Sequence, residues 1–184
     1  DADMQITEVD DQLINDCSMI HSTAFALSKL PARETILTAM HKAKGMGKVI
    51  SIDWNYAEKI WGKHNNAENV FRQLSELLPL LKFSLDDASR FTGRHLDAKS
   101  AMEWLSQFNT SVTCLTCGAD GVWFRNQNMD WEHATAPPVE VRDSTGAGDS
   151  FWAGFIHAYL MNASIHDCIS NAIATAAKRL QGQL

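Results

Sequence analysis

Cysteine is scarce in this sequence. Four thiols stand in 184 residues, at Cys17, Cys114, Cys117 and Cys168. They are too few and too scattered for a disulfide scaffold, so a reduced, cytoplasmic protein is expected. Positive charge is also short, with 16 Lys and Arg against 22 Asp and Glu and a formal net charge of −6. Phosphate backbones call for a basic face, so no nucleic-acid partner is expected. No apolar run reaches the ~18–20 residues that cross a bilayer, and no basic segment leads into an apolar one at the start. Neither a membrane partner nor a signal peptide is therefore expected. Repeats, low-complexity tracts and linkers are missing too, which leaves one domain over residues 1–184. Asp1 is not a translation start, so the chain is expected to be processed, cut or a piece of something longer.

What is present suits a folded α/β domain. Hydrophobic residues make up 45% and charged residues 21%, close to the globular average. Short apolar runs alternate with helical spacing. Strands are expected at Cys17–Ala26, Val49–Asp53, Leu80–Phe83 and Val112–Thr116, and a brief one at Val139–Val141. Helices are expected at Ala32–Lys44, with Ile36, Leu37, Met40 and Ala43 on one face, and at Asn66–Leu78, ended by Pro79. Ser84-Leu-Asp-Asp87 reads as a helix start, a Ser cap with carboxylates in the first turn. Ala98–Phe108, Ala147–Met161 and Ile165–Leu180 are further helices. Gly121–Arg125 and Asp130–Ala134, flanking Asn126-Gln-Asn128, read as a β-hairpin. Strands separated by helices predict a mainly parallel sheet covered on both faces, with ligands beyond the strand C-termini. That directs attention to Asp53, Asn55, Ser84, Asp87, Thr116, Gly118 and Asp143–Asp149.

The strongest chemical signal is Asp143-Ser-Thr-Gly-Ala-Gly-Asp149, between a short strand and an apolar helix. Small residues at 146–148 allow a tight turn and leave backbone N–H groups bare at a helix N-terminus, which suits an anion. Asp149 would repel a phosphate bound for its own sake. It makes sense as a base for a nucleophile about to attack that phosphate. The same residues also describe a plain glycine turn with an Asp near a helix start. No Lys follows the glycines, so this is no G-x-x-x-x-G-K-S/T loop, and position 151 is Phe, so the third glycine of G-x-G-x-x-G is missing. Cys114-Leu-Thr-Cys117 has C-x-x-C spacing but sits on a buried strand running into a glycine turn. A structural role is favoured over redox or zinc chemistry. His21 reads as a hydrogen-bonded structural residue, and the six tryptophans mainly as packing.

Asp143 through Ile156, DSTGAGDSFWAGFI, resembles the C-terminal signature of the ribokinase-like (PfkB) carbohydrate kinases at all fourteen positions. Ile52-Asp-Trp-Asn55 with Trp61 resembles that family's D-P-N-x-R-x-x-x-W stretch. Leu81–Ala88 resembles its K-x-N-x-x-E-A stretch, Leu115–Gly121 its T-x-G-x-x-G turn, and Asn171–Ala177 with Gly182 its last nucleotide-side helix. The resemblance implies a three-layer α/β/α ribokinase-like fold whose early strands and β lid lie outside this chain, Asp1-Ala-Asp3 following the lid. It implies transfer of the γ-phosphoryl of ATP to a hydroxyl of a sugar or sugar acid, of the fructokinase, ribokinase or 2-keto-3-deoxygluconate kinase type. A nucleoside kinase and a non-catalytic nucleotide-binding relative are the alternatives. Asp149 is then the general base, and the amides of Gly146, Ala147 and Gly148 form the anion hole. Thr116, Gly118, Gly121 and Asn171 face the nucleotide, and Asp53 and Asn55 the substrate or phosphate cleft. Asp87 holds Mg²⁺ through water. Asp143 and Thr145 match positions that in many members help bind a monovalent cation such as K⁺. Relatives often pair through the lid, which implies a homodimer of the full-length protein. The sequence departs from the pattern at Ser84 (Asn), Asp87 (Glu), Trp54 (Pro) and Ala57 (Arg).

Overall fold

A computed structural model describes residues 3–4, 11–62, 66–127 and 129–184. Asp1 and Ala2, and Asn128 of the expected hairpin turn, lie outside the described residues. The chain is an α/β fold with a mainly parallel sheet flanked by helices. In chain order its elements are α1 (Asp11–Asp16), β1 (Met19–Thr23), α2 (Ala32–Gly45), β2 (Val49–Asp53), α3 (Glu58–Trp61), α4 (Ala67–Ser75), β3 (Leu80–Ser84) and α5 (Leu85–Thr92). They continue with α6 (Ala98–Leu105), β4 (Val112–Thr116), a 3-10 turn (Gly118–Asp120), β5 (Val122–Asn126), β6 (Glu132–Ala134), α7 (Ala147–Leu160) and α8 (Ile165–Leu180). The strands are hydrogen-bonded in sequence order, β1 to β6. By proximity of their Cα atoms the residues form two compact units, Asp1–Leu115 with Phe124–Asp130, and Thr116–Trp123 with Trp131–Leu184.

In the first unit β1, β2 and β3 run parallel, Thr23 opposite Asp53 and Asp53 opposite Lys82. Parallel neighbours need a crossover of a dozen or more residues, and the helical segments between these strands supply it. β2 and β3 are almost wholly buried, hence their unbroken apolar runs. An aromatic core packs beneath them: Trp54 lies 4.9 Å from Phe71 and 5.4 Å from Phe91, and Phe71 lies 4.7 Å from Phe108 by ring centroids. α4 adds Val70, Phe71 and Leu74, all about 1% exposed. The helix ends three residues short of the expected Leu78, which adopts φ 52° outside it. Met40 and Ala43 of the expected α2 face are buried, together with Ala32, Thr35 and Ala39, whereas Ile36 and Leu37 are half-buried.

One charged pair is sealed in this core. Lys82 Nζ donates to both Asp53 oxygens, at 2.9 and 2.8 Å, with side chains 5% and 3% exposed. Neighbouring strand positions in register bring them together. Removing one partner of such a pair leaves an uncompensated buried charge, a loss of about 3–5 kcal/mol.

In the second unit, α7 and α8 pack at close range. A Cβ added at Gly154 would meet Thr175 Oγ1 at 2.6 Å and Ala172 Cα at 3.1 Å, so the helices touch where α7 has no side chain. Asn171 Nδ2 donates to Gly154 O at 2.7 Å across the same contact. The expected strand Val139–Val141 is not formed. Pro137 and Pro138 offer no N–H to a ladder, and Val141 is 57% exposed.

Lys82→Met is expected to lower stability by about 3–5 kcal/mol in urea unfolding, with much of the loss recovered by adding Asp53→Leu. An unchanged midpoint in the single variant would contradict a buried ion pair.

Candidate functional site

The second unit gathers most of the residues singled out in the sequence. Gly146 takes the left-handed conformation, φ 76°, and caps α7. A side chain there would be strained by the backbone alone, which explains the glycine. Ser150 N–H donates to Gly146 O at 2.9 Å, closing the first helical bond. Ala147 N–H turns back to Ser144 O at 3.2 Å, whereas the amides of Gly146 and Gly148 take no backbone partner among the described residues. Asp149 stands exposed in the first turn of α7, where the helix dipole favours a carboxylate.

The start of α7 borders a cavity of about 600 Å³ within the same unit, although Gly146 itself does not line it. Ala147 and Gly148 lie on its wall with Thr116, Gly118 and Gly121. Most of the remaining wall is apolar, including Pro137, Val139, Phe151 and Ile173. Val139 and Val141 of the stretch read as a strand thus line this cavity, with Glu140 between them off its wall. Gly118 (φ 60°) starts the 3-10 turn after β4, and Cys117 N–H donates to Gly121 O at 2.8 Å. A Cβ on Gly121 would come within 2.1 Å of Ala134 O, so only glycine fits. Asn171 does not line the cavity, and its amide is engaged by Gly154 O.

The loop before Gly146 is held at three points. Asp143 Oδ1 accepts Thr145 N–H at 2.9 Å. Asp143 Oδ2 accepts Arg179 Nη2 at 3.0 Å. Arg142 N–H donates to Leu180 O at 2.8 Å. The hydrogen bonds from Thr145, then the Arg179 guanidinium, hold the Asp143 carboxyl below the usual range. Sequence reading missed Arg179; 36 positions separate it from Asp143, and nothing local signals the pairing.

In the first unit, Ser84 caps α5 as expected. Its Oγ accepts Asp87 N–H at 3.0 Å and donates to Asp87 Oδ2 at 2.6 Å. Arg90 Nη1 donates to Asp87 Oδ1 at 3.0 Å. Burial pushes the Asp87 carboxyl up, against the pull of Ser84, Arg90 and Lys82. Among the described residues no group of three or more His, Cys, Asp or Glu could hold a metal by itself. Asp87 alone could offer a metal a single carboxylate; Mg²⁺ is commonly held by one or two carboxylates with water and substrate phosphates. Asp53 is engaged by Lys82, and Asn55 Oδ1 accepts Phe25 N–H at 3.3 Å. His21 is exposed, with Nδ1 3.0 Å from Ser51 Oγ. Burial, then Asp120, raises the Cys117 thiol, the opposite of a reactive thiolate.

A model of the pfkB family carbohydrate kinases matches residues 1–183. The ATP-dependent 6-phosphofructokinase of Thermoanaerobacterium thermosaccharolyticum is 27% identical over 183 residues, 98% of this chain and 56% of that protein. The crystal structure of aminoimidazole riboside kinase from Salmonella enterica superposes with a TM-score of 0.80 at 26% identity, over 88% of this chain and 56% of that one. A double-mutant fructokinase from Vibrio cholerae O395, solved with fructose, ADP and a potassium ion, gives a TM-score of 0.83 over 98% of this chain and 59% of that one. At 21% identity that likeness concerns the fold alone. The ribokinase-like fold is thereby established. The chain spans about half the length of the curated relatives it matches.

A raised carboxyl favours the folded state while protonated, and that contribution is lost as pH climbs through the folded pKa. Asp87→Asn is therefore expected to raise the melting temperature at pH 7, with the gap closing as pH falls below the unfolded value of 3.8. A variant less stable at pH 7 would show that Ser84 and Arg90 outweigh burial.

Proposed function

This chain belongs to the pfkB family of carbohydrate kinases, and we propose that it forms the nucleotide-side part of an ATP-dependent kinase acting on a sugar or sugar-acid hydroxyl. The observation that carries the reading is the left-handed Gly146 opening α7, with the bare Gly146 and Gly148 amides, beside a largely apolar cavity of about 600 Å³. The cavity takes the nucleoside, and the amide end takes the phosphates. Asp149 accepts the proton of the acceptor hydroxyl as its oxygen bonds to the γ-phosphorus. The bond from that phosphorus to the bridging oxygen breaks, and ADP leaves. Charge on the transferring group is met by fixed N–H dipoles that need no reorganisation. Mg²⁺ would supply neutralisation of phosphate charge, and Asp87 is the carboxylate that the family resemblance would assign to it through water.

Fructose-like, ribose-like and 2-keto-3-deoxygluconate-like acceptors are the proposed substrates. A nucleoside acceptor is the second reading, favoured by the likeness to aminoimidazole riboside kinase at 26% identity.

In the intact protein, Asp149→Asn is expected to lower turnover by ~10²–10⁴ in a coupled ADP-release assay, the usual worth of a positioned base. Calorimetric affinity for Mg-ATP should be little changed. Unaltered turnover would remove Asp149 as the base, and lost ATP binding would make it structural. No turnover on any acceptor by the natural protein, with binding retained, would favour a non-catalytic relative.

A further inference from the structure

The expectation that Asp143 and Thr145 help hold a monovalent cation does not fit the residues present. Both Asp143 oxygens are engaged, Oδ1 by the Thr145 amide and Oδ2 by the Arg179 guanidinium. Arg179 is a quarter exposed and projects from the last turn of α8, where the helix dipole favours a cation. Its Nε would lie 3.5 Å from a Cβ on Gly146, so the guanidinium rests against the residue that caps α7. A second positive charge on the same carboxylate would meet repulsion from the guanidinium already paired with it.

We propose that Arg179 serves as a built-in cation for the 143–149 loop, so that the loop takes its shape without K⁺. Resting on the kinase reading of that loop, the assignment gives Arg179 two tasks. It neutralises Asp143, so no bare carboxylate repels the phosphates that the Gly146 and Gly148 amides receive. It also ties the loop to the end of α8, alongside the bond from Arg142 N–H to Leu180 O at 2.8 Å. Arg179 acts through the loop and is a positioning residue.

The test compares the natural intact protein with Arg179→Gln and Arg179→Lys, in potassium and in tetramethylammonium salts of equal ionic strength. Circular dichroism checks each fold. Two quantities are read: calorimetric affinity for Mg-ATP, and hydrogen exchange of the peptide covering residues 142–150. The natural protein is expected to show the same affinity and the same loop protection in both salts. Arg179→Gln should bind roughly tenfold or more weakly in tetramethylammonium, as when a hydrogen bond to a charged group is removed. It should also lose loop protection there, and potassium should restore part of both. Arg179→Lys should stay nearer the natural protein.

Affinity or loop protection of the natural protein that rises with potassium would overturn the proposal. So would Arg179→Gln matching it in both salts. If no sample binds nucleotide, the kinase reading fails, and the exchange data still decide whether Arg179 or potassium shapes the loop.

Discussion

Everything at the candidate site depends on one backbone requirement, the left-handed turn at Gly146. With φ at 76° the chain enters α7 at an angle that leaves the Gly146 and Gly148 amides without a backbone partner. Unpaired N–H groups at a helix N-terminus are an obligation the fold must meet, and an anion meets it well. The turn keeps its place because α7 is fixed on α8. Contact at Gly154 admits no side chain, Asn171 bonds across it, and Arg142 and Arg179 hold the preceding loop to the end of α8. A short motif thus draws its rigidity from residues well beyond it in sequence.

The first unit solves a different problem. β2 and β3 are buried, yet each carries a charge, Asp53 at the end of β2 and Lys82 opposite it in the middle of β3. An isolated buried carboxylate or ammonium is very unfavourable, so Asp53 and Lys82 are workable only together. Their pairing joins two stretches that were picked out separately in the sequence, Ile52–Asn55 and Leu81–Ala88. Asp87 is more moderate: burial, the largest influence, and Asp86 oppose its charge, and Ser84, Arg90 and Lys82 favour it.

Much of this was legible in advance, for identifiable reasons. Val49–Asp53 and Val112–Thr116 carry compact β-branched runs, and the strands fall at those bounds. Ser84 announced its cap through the carboxylates that follow, and the cap is formed. Asp143–Asp149 was visible because a tight turn into a helix needs small residues in fixed order. What escaped was long-range. The pairing of Lys82 with Asp53 is set by strand register, which the sequence does not display. Arg179 gave no local sign at all. Val139–Val141 misled because two valines flanking Glu140 alternate as a strand does, whether they pair in a sheet or wall a cavity. The short helices α1 and α3, of six and four residues, lack the length for a periodic signal.

The amides of the Gly146 turn are where phosphate binding is most directly observed. Amide resonances of the isotope-labelled intact protein, followed as Mg-ATP is added, report on them one by one. Gly146 and Gly148 are expected to shift and to gain protection from exchange in step with binding, together with Thr116 and Gly121 on the cavity wall. Saturable binding that leaves Gly146 and Gly148 unmoved would contradict the account, because the phosphates would then be held elsewhere.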